Sequence, residues 1–148
     1  MAQINSTHFE LGVVRLFDEF VCSLDERRGD DWLSLFSDQG YYAVLRRVEY
    51  EDGNNVLIVG EDMKRLRARM SSALERDLRR TVHVLSGIRS SEASMTCAAA
   101  FAVWFDGLPM YAGRYVINVV DQDGVLRIAK CSVVLDNKVI ESPIYFPI

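Results

Sequence analysis

The sequence predicts an α+β domain, with about three helices packed on the concave face of a curved, mostly antiparallel sheet. Three observations lead there. In the first quarter, apolar residues recur at steps of three and four, the spacing of one helical face. From Arg80 onward the pattern is that of strands, rich in branched and aromatic residues. Asp106-Gly107 and Asp121-Gln122-Asp123-Gly124 are turn signals, because Asp and Gly tolerate the positive φ of a tight hairpin.

The first helix is expected from about Thr7, where Thr7 and Glu10 have capping-box spacing. Phe9, Val13, Leu16, Phe17, Phe20 and Leu24 form its apolar face. The charged stretch 25–31 interrupts, and a short second helix follows through Trp32, Leu33, Leu35 and Phe36. Ser37-Asp38-Gln39-Gly40 ends it. Residues 41–48 predict a strand, 51–55 a polar loop and 56–59 a short strand or lead-in. Gly60-Glu61-Asp62 opens a third helix, its acids placed at the positive end of the dipole. Met63, Leu66, Met70, Ala73 and Leu74 make that helix's apolar stripe. Strands are expected over 81–89, 95–105, 110–120 and 125–135. No repeat or linker breaks the chain, so 1–148 is expected to be one domain.

Composition narrows the function. The formal charge of −4 disfavours a nucleic-acid partner, which recruits basic surfaces. No apolar run approaches the ~18–20 residues that span a bilayer. The polar start, 1–10, does not read as a secretory signal. Cys22, Cys97 and Cys131 are odd in number and lie in apolar surroundings, which predicts buried, reduced thiols in a cytoplasmic protein.

Several pieces together carry a family resemblance. They are Asp31-Trp32-Leu33-Ser34-Leu35-Phe36 followed by Gly40-Tyr41-Tyr42, Arg80-Thr81-Val82-His83, Gly113-Arg114-Tyr115, the run from Asp123 through Ala129, Val134-Leu135-Asp136 and the tail Ile144-Tyr145-Phe146-Pro147-Ile148. With the order of elements, the chain resembles the NTF2-like (SnoaL-like) cone and, within it, the small or β subunit of bacterial aromatic-ring-hydroxylating dioxygenases. The resemblance implies a non-catalytic structural subunit, a homotrimer core within an α3β3 hexamer. It also implies a catalytic α subunit carrying a Rieske [2Fe–2S] cluster and a mononuclear Fe(II). The assembly's reaction would be O2-dependent hydroxylation of an aromatic ring.

Residue chemistry agrees with iron on another chain. A Rieske centre takes two Cys and two His in short paired spacings. A mononuclear non-haem site takes two His and a carboxylate. Only His8 and His83 are present, with no Cys-x-His pair, so no catalytic, cofactor or metal residue is expected here.

The alternative is a cofactor-free isomerase, dehydratase or cyclase, or a small-ligand binder of the same fold. It would use His83 with Tyr42, Asp18 or Arg114. Against it, His83 is expected to be structural or an interface contact, and Arg114 to pair with an acid such as Asp136. Tyr41, Tyr42, Trp104, Tyr111 and Tyr115 are expected to pack rather than line a cavity. The basic run Lys64, Arg65, Arg67, Arg69, Arg76, Arg79 and Arg80 reads equally as a solvated face or as an interface with an acidic neighbour. Interface residues are expected at Arg79 and Arg80 and along the tail: Pro143, Ile144, Tyr145, Phe146, Pro147 and Ile148. Uncovered, so apolar a tail would cost about 25 cal/mol per Å2. An edge strand at a subunit contact is therefore expected.

Overall fold

The computed structural model describes residues 2–140 and 143–148, with the backbone alone for residues 2–6. Four helices and six strands follow in the order α1 (Ala2–Asp25), α2 (Gly29–Ser34), β1 (Phe36–Arg46), α3 (Arg47–Glu51), β2 (Val59–Asp62), α4 (Met63–Arg76), β3 (Thr81–Ser91), β4 (Thr96–Phe105), β5 (Leu108–Gln122) and β6 (Val125–Leu135). The strands form one sheet, ordered β2-β1-β6-β5-β4-β3. Only the β1–β6 pair is parallel. Register shifts within β1, β3, β4 and β5–β6 let the long strands coil around the helices instead of lying flat.

The inner face of the sheet and the helices share one core. The expected stripe of α1 is buried from Phe9 to Leu24, and Leu66, Met70 and Ala73 bury the inward face of α4. The two Asp-Gly turns behave as expected. Asp106 and Asp123 have φ of 50° and 55°, and Gly107 and Gly124 follow at 78° and 82°. On the inner side of β5, a Cβ added to Gly113 would run into the Val134 carbonyl, so only glycine lets the two strands close there.

Five local expectations are corrected. The second helix stops at Ser34, and Phe36 with the expected terminating turn 37–40 lies in β1. The residues before Thr7 carry no breaker, so α1 starts at Ala2 and Thr7 lies inside it rather than capping it. The strand expected over 41–48 stops at Arg46, and the next residues form α3, which buries none of its residues and is braced by an Arg46–Glu49 ion pair of 2.7 Å. The strand expected at 56–59 starts at Val59 and runs to Asp62, whose side chain then caps α4 by accepting the Arg65 N–H. The tail is not an edge strand. Its prolines break regular pairing, and Ile144, Phe146 and Ile148 turn into the chain's own core while Pro143 and Tyr145 face outward.

Candidate functional site

Alternation along β3 places His83 on the inner face, between exposed Val82 and Val84. Its Nδ1 lies 2.6 Å from Asp25 Oδ1. The same carboxylate accepts the His83 backbone N–H and the Thr81 hydroxyl, each at 2.9 Å. Asp25 ends α1, so this cluster fastens the helix terminus to the edge strand. Burial works to raise the Asp25 carboxyl, but the hydrogen bonds from His83 and Thr81 outweigh it and hold the group below its usual value. With a carboxylate at Nδ1, that nitrogen carries a proton toward Asp25 and Nε2 points into the core.

Around this pair the interior is filled with rings. Phe101 stacks on Tyr115 at 4.3 Å, Phe20 meets Tyr115 edge-on at 5.0 Å, and Trp32 packs edge-on against Phe20, Phe36 and Tyr42. The His83 side chain is wholly buried, as are Trp32 and Tyr115. His83 Nε2, Tyr115 Oη and Trp32 Nε1 are buried without hydrogen-bond partners among the described residues. The arrangement orients the imidazole, and four depressions of about 350–560 Å3 on the described residues are lined by neither His83, Trp32 nor Tyr115. One of them, of about 560 Å3, lies between the start of α1 and the β5–β6 turn.

The tail closes the opposite flank. Tyr42 Oη donates to the Ile148 carbonyl at 2.9 Å and accepts the Ile148 N–H at 3.0 Å. Arg69 donates to the Ile144 carbonyl at 2.8 Å while paired with Glu61. Arg27, in the left-handed region with φ 58°, donates to the carbonyls of Leu74 and Arg79, and its guanidinium lies 5.2 Å from the centre of the Phe146 ring.

No family model and no curated protein matches the chain. Solved structures do. A protein of Novosphingobium aromaticivorans assigned as the β subunit of an aromatic-ring-hydroxylating dioxygenase superposes with a TM-score of 0.81 at 22% identity, over 99% of each chain. The β subunit of benzoate 1,2-dioxygenase from Burkholderia mallei gives 0.70 at 16% identity, over 91% of this chain and 95% of that one. A protein of N. aromaticivorans assigned as a scytalone dehydratase gives 0.70 at 14% identity, over 94% and 93%. The fold is NTF2-like.

Within this NTF2-like cone the expected site residues disperse. Only His83 carries an acid partner in the interior, and that partner is Asp25. Asp18 sits two turns earlier on α1, exposed. The clue to Asp25 is that it continues the inward line Phe17, Val21, Asp25 at steps of four. Tyr42 is wholly buried, its hydroxyl committed to Ile148, and burial raises its pKa. Arg114 is exposed on the outer face, opposite in parity to buried Tyr115. Its expected partner Asp136 instead binds Arg47 at 2.8 Å. Tyr111 and Tyr115 pack inward as expected, whereas Trp104 is half-buried on the outer side. Arg79 is bound by Asp77, and Arg80 is exposed, its backbone N–H held by Asp106. Cys22 is exposed, against expectation, because it sits one step off the apolar stripe of α1. Cys97 and Cys131 are buried, and burial raises both thiols, Cys97 to about 12.

The cone's outer face is a second surface. Register places Val84 beside Ala102 and Ala112, and Ala100 beside Arg114 and Val134. α3 contacts β1 and β6 at one end, while Val82, Val84 and Ala112 stay exposed. Among the described residues no three His, Cys, Asp or Glu side chains come together as a metal-holding set. Nor does the donor set fit the two iron centres: His83 Nδ1 is taken by Asp25, His8 is exposed on α1, and Cys97 and Cys131 are enclosed in apolar core. No helix is long and apolar enough to cross a membrane.

Proposed function

We propose that this chain is the β subunit of a Rieske-type aromatic-ring-hydroxylating dioxygenase. In this reading it is a cytoplasmic, non-catalytic platform that forms the trimeric core of an α3β3 hexamer. Its α partner carries the [2Fe–2S] cluster and the mononuclear iron. The observation that carries the reading is the filled cone. Trp32, Tyr115 and Phe20 fill the interior with packed rings, while Val82 and Val84 stay exposed on the outside of the sheet. The likeness to two chains named as dioxygenase β subunits supports it. The test is co-expression with a neighbouring large-subunit reading frame, followed by mass and iron analysis. The expected result is a hetero-hexamer whose iron stays with the larger chain. An iron-free chain that turns over a substrate unaided would end the proposal.

A second reading has one observation in its favour, the Asp25–His83 pair with its unpartnered Nε2. Such a pair suits proton abstraction in a cofactor-free enzyme, and the N. aromaticivorans protein assigned as a scytalone dehydratase shares the fold. It ranks second because the ring is sealed from solvent. The two readings part on His83→Gln. That change leaves assembly with a large subunit intact in the first, and abolishes turnover by the isolated chain in the second.

A further inference from the structure

We infer that the groove between α4 and the tail is a docking site for an extended, acidic peptide segment of a partner protein. Two depressions, of about 370 Å3 and about 350 Å3, adjoin there and share Arg76 and Tyr145. Arg65, Arg69, Ser72 and Arg76 follow one another along the same face of α4, and Arg79 continues the line beyond the helix. Among the described residues two carboxylates border the groove, Glu61 and Asp77, and each pairs with an arginine, while Glu61 Oε2 is buried without a partner. Glu61 holds Arg69 at 2.6 Å, and Asp77 holds Arg79 at 2.7 Å. Arg65 and Arg76 have exposed side chains and no acid partner among the described residues, so the groove is positive although the whole chain carries −4.

The dimensions favour a peptide over a small anion. Eleven residues of helix separate Arg65 from Arg76, a rise of about 16 Å. An extended chain covers that distance in about five residues at roughly 3.3 Å each. Carboxylates on one side of such a strand reach both guanidiniums, each pairing in the fork geometry that arginine offers. Tyr145, 58% exposed beside buried Ile144 and Phe146, gives an aromatic wall where the two depressions meet. Acidic Glu75 lies on α4 but does not line the groove, and neither do Lys64 and Arg67. The positive line is thus a feature of one side of the helix. Nothing in it depends on whether the chain sits in an oxygenase.

The test is fluorescence anisotropy on the full chain, with a labelled peptide of roughly ten residues alternating Glu and Ser, long enough to span the groove. Saturable binding is expected. It should weaken at least tenfold in Arg65→Glu/Arg76→Glu and in the milder Arg65→Ser/Arg76→Ser, and be unchanged in Lys64→Ser/Arg67→Ser. It should also vanish near 1 M salt, where the Debye length is about 3 Å. Circular dichroism checks that each variant is folded. No binding by the unaltered chain, equal binding of a Lys-Ser peptide, or undiminished binding by both groove variants would overturn the assignment. So would full competition by inorganic phosphate at matched ionic strength, which would make the groove a small-anion site. A change in sedimentation of the groove variants alone would show the occupant to be a second copy of this chain, and would overturn it equally.

Discussion

The inner and outer faces of the sheet are built from the same strands, one residue apart, yet they differ in kind. Inside, Phe101, Tyr115 and Ile117 interlock with Phe17 and Phe20, and the polar atoms that enter are bound locally or enclosed. Outside, Ala100, Ala102, Ala112 and Val84 form a smooth surface with one guanidinium, Arg114, among them. Removing an inner side chain leaves a hole that close-packed neighbours cannot fill, whereas removing an outer one changes only what the surface can meet. The contrast assigns folding to one parity of the strands and leaves the other facing outward.

The sharpest way to break this contrast is Tyr115→Ala. It removes the ring that Phe20 and Phe101 pack against and should cost about 3–5 kcal/mol in urea unfolding. Next comes Asp25→Asn, which disrupts the cluster at His83 and Thr81, with an expected loss of about 1–3 kcal/mol. This loss depends on pH with a definite sign. The folded-state carboxyl lies below its unfolded value, so its stabilisation is fully present above about pH 4 and disappears as pH falls through the folded-state value. The melting temperatures of parent and variant should therefore converge in acid. Tyr42→Phe removes both hydrogen bonds to Ile148 and should cost about 1–2 kcal/mol, read as earlier thermal unfolding. The smallest effect on folding is expected from Arg114→Ala, within about 0.5 kcal/mol. In analytical ultracentrifugation the same variant should shift self-association or partner binding. A large loss of stability from Arg114→Ala would blur the contrast between the faces.

Much of this was legible in the residues. β6 occupies 125–135 as expected, because an Asp-Gly turn fixes its start and branched residues fill its length. The stripe of α1 and the α+β order were readable for the same kind of local reason. What failed was either very short or very long in range. α3 is a five-residue helix that buries none of its residues, and its Val48 and Tyr50 continue the branched and aromatic pattern of the strand before it. The bond between Asp25 and His83 joins positions 58 apart, which no local pattern reports. Arg114 was open between inside and outside, since alternation gives parity without direction. The fuller set Tyr111, Gly113, Tyr115, Ile117 and Val119 against Ala112, Arg114, Val116 and Asn118 shows which way the strand faces. The tail was correctly read as needing cover, but which surface supplies the cover is a tertiary fact.

Arg27 joins parts of the chain that lie far apart in sequence. By holding the carbonyls of Leu74 and Arg79 beneath the Phe146 ring, it ties the exit of the first helix, the end of the fourth and the closing residues into one knot. The end of α1 and the closing residues should therefore come apart together. In hydrogen-exchange mass spectrometry, amides near Ile148 should open at the same rate as those at the end of α1, rather than fraying ahead of them.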